Sequence, residues 1–137
     1  MIVAAIIGLL ATIAIPSFIH ARENSQNKRF INDIRIAVGA FIQYNLDKGG
    51  YPADTTPGII PANMNDYLIR IEWTKNTVLG GKWDWDYLQF GCTSGVSVYR
   101  PDASADRMRT IDQEIDDGDL TTGNFRQRTD GYISIIQ

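Results

Sequence analysis

The sequence predicts an α+β fold in which one long N-terminal α-helix packs on a small antiparallel β-sheet. Three observations carry this prediction. Apolar residues keep a helical period from the start of the chain to about Lys48. Short stretches rich in aromatic and β-branched residues follow, bounded by glycine turns. The single cysteine, Cys92, allows no intrachain disulfide, so the fold must rest on a packed core.

The helix divides into two halves. Residues 1–19 carry no charge, and only Thr12 and Ser17 bring hydrogen-bonding side chains. At ~1.5 Å per residue that run is roughly 28 Å of helix, close to the ~30 Å hydrocarbon core of a bilayer. It is expected to be the transmembrane half, with residues 20–137 forming the amphipathic half plus a globular domain. A cleaved signal peptide would start with basic residues, and none precedes this run. A buried core helix fits poorly, because the remaining domain is too small to surround so uniform an apolar surface.

Beyond His20 the composition turns polar while the period persists. Phe30, Ile34, Val38, Phe41 and Ile42 form the expected core stripe, with Ile31, Ala37 and Leu46 beside it, and Arg22, Lys28, Arg29 and Arg35 fall largely elsewhere. Gly49-Gly50 ends the helix, since glycine takes the left-handed C-cap conformation without penalty.

Residues 51–65, with Pro52, Pro57, Pro61 and Gly58, read as an irregular connection, followed by a helical turn near Asn65–Ile69. Residues 82–88 and 96–99, separated by the Gly91–Gly95 turn, suggest an antiparallel hairpin, and Tyr132–Ile136 a third strand after Asp130-Gly131. Between them Ser104 suits an N-cap for a helix to Ile115, with Met108, Ile111 and Ile115 on one face. Trp83, Trp85 and Tyr87 alternate with Asp84 and Asp86, which on a strand puts aromatics on one face and acids on the other. The aromatic face either packs on the Phe30–Leu46 stripe or forms a platform for a sugar or polymer.

A formal net charge of −3 argues against a nucleic-acid partner. There is no Walker loop, dinucleotide fingerprint, HExxH or GxSxG, and the one histidine, His20, sits at the edge of the apolar run where it poorly partners Cys92. An enzyme is not expected. Residues 102–130 hold eight acidic side chains against four arginines. There Asp116, Asp117 and Asp119 crowd around Gly118, a pattern that suits a hard cation such as Ca2+. Asp119, just past the glycine, is the leading ligand, and Asp116 could instead finish the helix. The alternative is an Asp-Gly turn with solvated carboxylates.

The run MIVAAIIGLLATIAIP with Gly8 and Leu10, then Pro16 and Ser17-Phe18, resembles the N-terminal helix of type IV pilins and type II secretion pseudopilins. The string Ala21-Arg22-Glu23-Asn24-Ser25, Gly50-Tyr51-Pro52 and Gly80-Gly81-Lys82-Trp83-Asp84 are similar to the major pseudopilin type. Family precursors carry a basic leader and an assembly glutamate just upstream, so the chain is expected to start inside a longer precursor. Arg22, Lys28 and Arg29 would be placed in the cytoplasm by the positive-inside rule, whereas the family places that side outward.

The resemblance implies a non-catalytic subunit that self-assembles into a helical filament. It implies methylation at the processed N-terminus, an inner-membrane secretion or pilus assembly machinery as partner, and membrane lipid around a single-pass anchor. Gly8, Leu10, Pro16 and Phe18 would serve anchoring and assembly, Gly8 and Pro16 by letting the helix bend. The globular domain would lie in the periplasm or outside the cell, with calcium bound in its C-terminal loop. Type IV pilins commonly close that loop with a disulfide, so one cysteine favours a major pseudopilin. A type IV pilus subunit and a membrane-tethered binding module with an aromatic face are the alternatives.

Overall fold

The computed structural model describes residues 2–137, except for the side chains of residues 2, 10, 11, 13 and 14. Helix α1 (Ile2–Lys48) runs without interruption, with Pro16 inside it. It stops where expected: the Gly49 N–H donates to Asn45 O at 2.8 Å, and Gly49 takes φ +76°.

Only the second half of α1 meets the domain. Side chains described from Val3 to Ser25 are exposed, and burial begins at Gln26 and Asn27. Phe30, Ile34, Ala37, Phe41 and Tyr44 then line the buried side. Their spacing of three and four residues holds them to one face of a helix that turns ~100° per residue. Val38 is half-buried, and Ile42 departs from the expected stripe with 39% of its surface exposed. One position beyond Phe41, it is rotated ~100° off the contact line.

Four strands form one antiparallel sheet: β1 (Lys82–Tyr87), β2 (Ser94–Tyr99), β3 (Phe125–Arg128) and β4 (Gly131–Ile135), in the order β1-β2-β4-β3. Strand β3 is absent from the sequence-based expectation. Phe-Arg-Gln-Arg has neither alternation nor β-branched residues, and pairing with β4 through the turn before Gly131 holds it extended. Helix α2 (Ala105–Ile115) has the expected cap, Ser104 accepting from the Arg107 N–H at 3.2 Å.

The core lies between α1 and the sheet. Phe41 stacks on Trp85 with ring centroids 3.8 Å apart and planes 2° apart, and Phe30 stacks on Trp83 at 5.7 Å. The indole N–H groups donate to backbone carbonyls, Trp85 to Pro52 and Trp73 to Ile59. These bonds satisfy the polar tips that burial would otherwise strand. The connection from 51 to 81 contains turns rather than a helix and delivers Met64, Leu68 and Trp73 to this core.

Candidate functional site

Two regions of the described residues hold the expected site residues outside the core. The first is the exposed half of α1. Val3, Ile6, Ile7, Leu9, Ile15, Phe18 and Ile19 are each at least half exposed. Over residues 2–22 that is roughly 32 Å of helix before Glu23, whose carbonyl accepts from Arg107 Nη2 at 3.5 Å. Gly8 has open space around it, so among the described residues no packing requires glycine there. Pro16 lies within the unbroken helix and Phe18 is 68% exposed, while the Leu10 side chain lies outside the described ones. Among the described residues, no helix is long and apolar enough to cross a membrane.

The second is the acidic loop after α2. Asp116 is the helix C-cap, and its Oδ2 accepts from the N–H groups of Asn124 and Phe125. Asp117 accepts from Asp119 N at 3.0 Å and from the Thr122 hydroxyl at 2.6 Å. Asp119 turns away from them, its Oδ1 accepting from the Thr121 N–H and hydroxyl at 2.9 and 2.7 Å. The Thr122 hydroxyl holds Asp117 below the usual carboxylate range, and the Thr121 hydroxyl does the same for Asp119. At Gly123, φ +72°, a side chain would run into the Asp116 carboxylate.

The residue grouped with Asp116 and Asp117 is Asp112, not Asp119: one ligand oxygen from each of the three lies within 4.8 Å of the others. Asp112 is fully buried, and with all the carboxylates ionised no donor reaches either of its oxygens. Burial pushes its pKa up to about 6, reinforced by the charges of Asp117 and Asp116. The sequence does carry a signal for it, because Asp112 and Asp116 are four apart and share a helix face.

Trp83 and Trp85 are buried against α1, so they are core, and the sugar platform expected as an alternative does not form. His20 is exposed on α1, and Cys92 sits half-buried in the β1–β2 turn with its thiol directed at Gln89 O. Burial raises the Cys92 pKa, the reverse of what a nucleophile needs.

The chain is similar to fimbrial protein EcpC of Eikenella corrodens, 42% identical over 70 residues that make up 51% of this chain and 46% of that protein. The chain thus spans about half the length of that relative. No protein-family model and no solved structure matches. Similarity to a fimbrial protein supports a pilin-like relationship, and the long helix on a four-stranded antiparallel sheet is a pilin-like α+β arrangement.

Proposed function

We propose that this protein is a structural, non-catalytic subunit of a pilin-like filament, and more specifically a major pseudopilin of a type II secretion system. One observation carries the reading: among the described residues, the first half of α1 is a column of large apolar side chains that the domain leaves exposed. An apolar surface of that extent needs lipid or other copies of the chain to cover it. Stored in the inner membrane as a single-pass anchor, it would later pack in the filament core through Gly8, Pro16 and Phe18. Membrane insertion rests on the uncharged run of residues 1–19. Similarity to a fimbrial protein supports filament assembly. The single cysteine supports the pseudopilin over a disulfide-closed pilus subunit.

The test is fractionation and filament assembly of the full chain with Leu10→Asp, since a charge at mid-bilayer costs ~2.5–3.5 kcal/mol on insertion scales. Loss of membrane association and of filaments supports the proposal. Wild-type fractionation with intact filaments would sink it.

Calcium is proposed at the loop as a structural cation. The fit rests on the donor set: three carboxylates, two exposed and one buried with both oxygens unpartnered. Ca–O distances of ~2.3–2.6 Å put two ligand oxygens at most ~5 Å apart, which matches the spread of these three. Asp112, Asp116 and Asp117 would hold the ion, and Asp119 would shape the turn. Calcium would there neutralise the like charges and fix the loop before β3.

A further inference from the structure

Where the exposed half of α1 meets the domain, one face of the helix borders a groove of about 530 Å³. Phe18, Arg22, Ser25 and Arg29 line it from the helix, and Val78 closes it from the 51–81 connection. The four helical residues follow at intervals of four, three and four, so they stand in one stripe. Arg22 and Arg29 are two turns apart, ~10.5 Å along the axis, with the Ser25 hydroxyl between them. All four are exposed to solvent.

The stripe holds positive charge that the domain leaves largely unanswered. Arg22 has no ion-pair partner among the described residues. Arg29 has one, Asp33, and its Nε is 4.0 Å from that carboxylate. Arg70 adds a further cation beside Arg29, while Glu72, the other acid there, is engaged by Lys75 at 3.0 Å.

Its position along the helix says what should meet that charge. Arg22 is three residues past Ile19, the end of the uncharged run, and so ~4.5 Å beyond it. The headgroups add ~5–8 Å to each side of a bilayer's hydrocarbon core. With the apolar run in lipid, Arg22 stands in the layer of the phosphates and Phe18 at the acyl boundary beneath it. Arg29 starts higher, and its side chain leans back toward the helix N-terminus and that layer.

We propose that this groove binds the phosphate of an anionic phospholipid, held between the Arg22 and Arg29 guanidiniums with the Ser25 hydroxyl donating to it. The first acyl carbons rest on Phe18. The inference rests on the membrane anchoring proposed above and adds which lipid the anchor selects. A guanidinium fork matches two phosphate oxygens, so two arginines suit a phosphodiester. A phosphatidylcholine headgroup carries its own cation beside the phosphate and gains less from them. A nucleic acid has phosphates without acyl chains, and the net charge of −3 opposes it. A second copy seated by its apolar helix brings no acid in residues 1–19 to pair with two arginines.

The experiment uses the full chain reconstituted in phosphatidylcholine vesicles, with spin-labelled phosphatidylglycerol or spin-labelled phosphatidylcholine as probe. Electron paramagnetic resonance reads the share of each probe immobilised on the protein. Phosphatidylglycerol should be preferred, and Arg22→Gln and Arg29→Gln should each lower that preference about fivefold. Arg35→Gln, at an exposed position outside the groove, should leave it unchanged. No preference in the wild type, a preference that survives both groove substitutions together, or an equal loss in Arg35→Gln overturns the proposal. Removal of the preference by inorganic phosphate at constant ionic strength assigns the arginines to a free anion and overturns it too. Filaments lost in the double variant, with no lipid preference in the wild type, give the groove to a second copy instead. Flotation separates the two readings. A wild type that does not float with the vesicles overturns anchor and site together, whereas one that floats without lipid preference overturns the site alone.

Discussion

Arg128 on one edge strand and Asp84 on the opposite edge strand are joined by a 2.6 Å ion pair that crosses β4 and β2. Gly131 of β4 is the residue paired with Arg128, and a side chain there would run into the backbone of Val98. Asp86 draws on the same guanidinium, so one residue of β3 serves two buried carboxylates of β1.

Removing Arg128 leaves both carboxylates buried without their counter-ion. Arg128→Ala should destabilise the domain by ~3–5 kcal/mol in denaturant unfolding, the usual cost of breaking a buried pair from one side. The double variant with Asp84→Asn should be less destabilised than the sum of the two single ones. Strict additivity would mean that the pair is not coupled.

The pH dependence of stability follows from the sign of the Asp84 shift. Its folded pKa of about 7 lies above the ordinary carboxyl value of 3.8, so the folded state holds the proton more tightly than the unfolded one. The resulting stability is fully present below about pH 4 and is lost as pH rises from there to about 7. Asp112, shifted up to about 6, adds a fall over the lower part of that window. Unfolding midpoints measured from pH 4 to 8 should therefore carry a downward contribution from Asp84 that Asp84→Asn removes. An identical profile in that variant would rule out Asp84 as its source.

The helical stripe separates into neighbours with opposite fates. Phe41 is fully buried under Trp85, and Phe41→Ala should cost ~3–5 kcal/mol through lost burial and a cavity. Ile42 is 39% exposed, and Ile42→Ala should cost less than about 1 kcal/mol. Equal losses at the two positions would contradict the packing of α1 on the sheet.

Calcium should raise the unfolding midpoint of the full chain relative to chelator and to magnesium. The gain would be ~2.7 kcal/mol at a hundredfold excess over Kd if only the folded state binds. Asp112→Asn should remove that calcium-specific gain, as should Asp117→Asn, while Asp119→Asn should weaken it only through the turn. A response to calcium unchanged by Asp112→Asn would place the ion elsewhere or reduce the cluster to a solvated turn.

The sequence by itself determined the elements whose signals are local. The apolar period of α1 and the glycine that stops it are written in consecutive residues, as are the alternation of Trp83 and Trp85 with Asp84 and Asp86 and the Ser104 cap. Backbone geometry turns those spacings directly into faces. Tertiary structure decided what depends on residues far apart in the chain. Phe125–Arg128 becomes a strand because β4 pairs with it, overriding weak propensity. Ile42 leaves the core because the sheet meets α1 along the line of Phe30, Ile34 and Phe41. Asp112 joins Asp116 and Asp117, and Arg128 joins Asp84 and Asp86, through burial that only the assembled domain imposes. A carboxylate in sequence is a soluble charge. Desolvation and the neighbours that folding brings within a few ångströms give it a shifted pKa and a site to belong to.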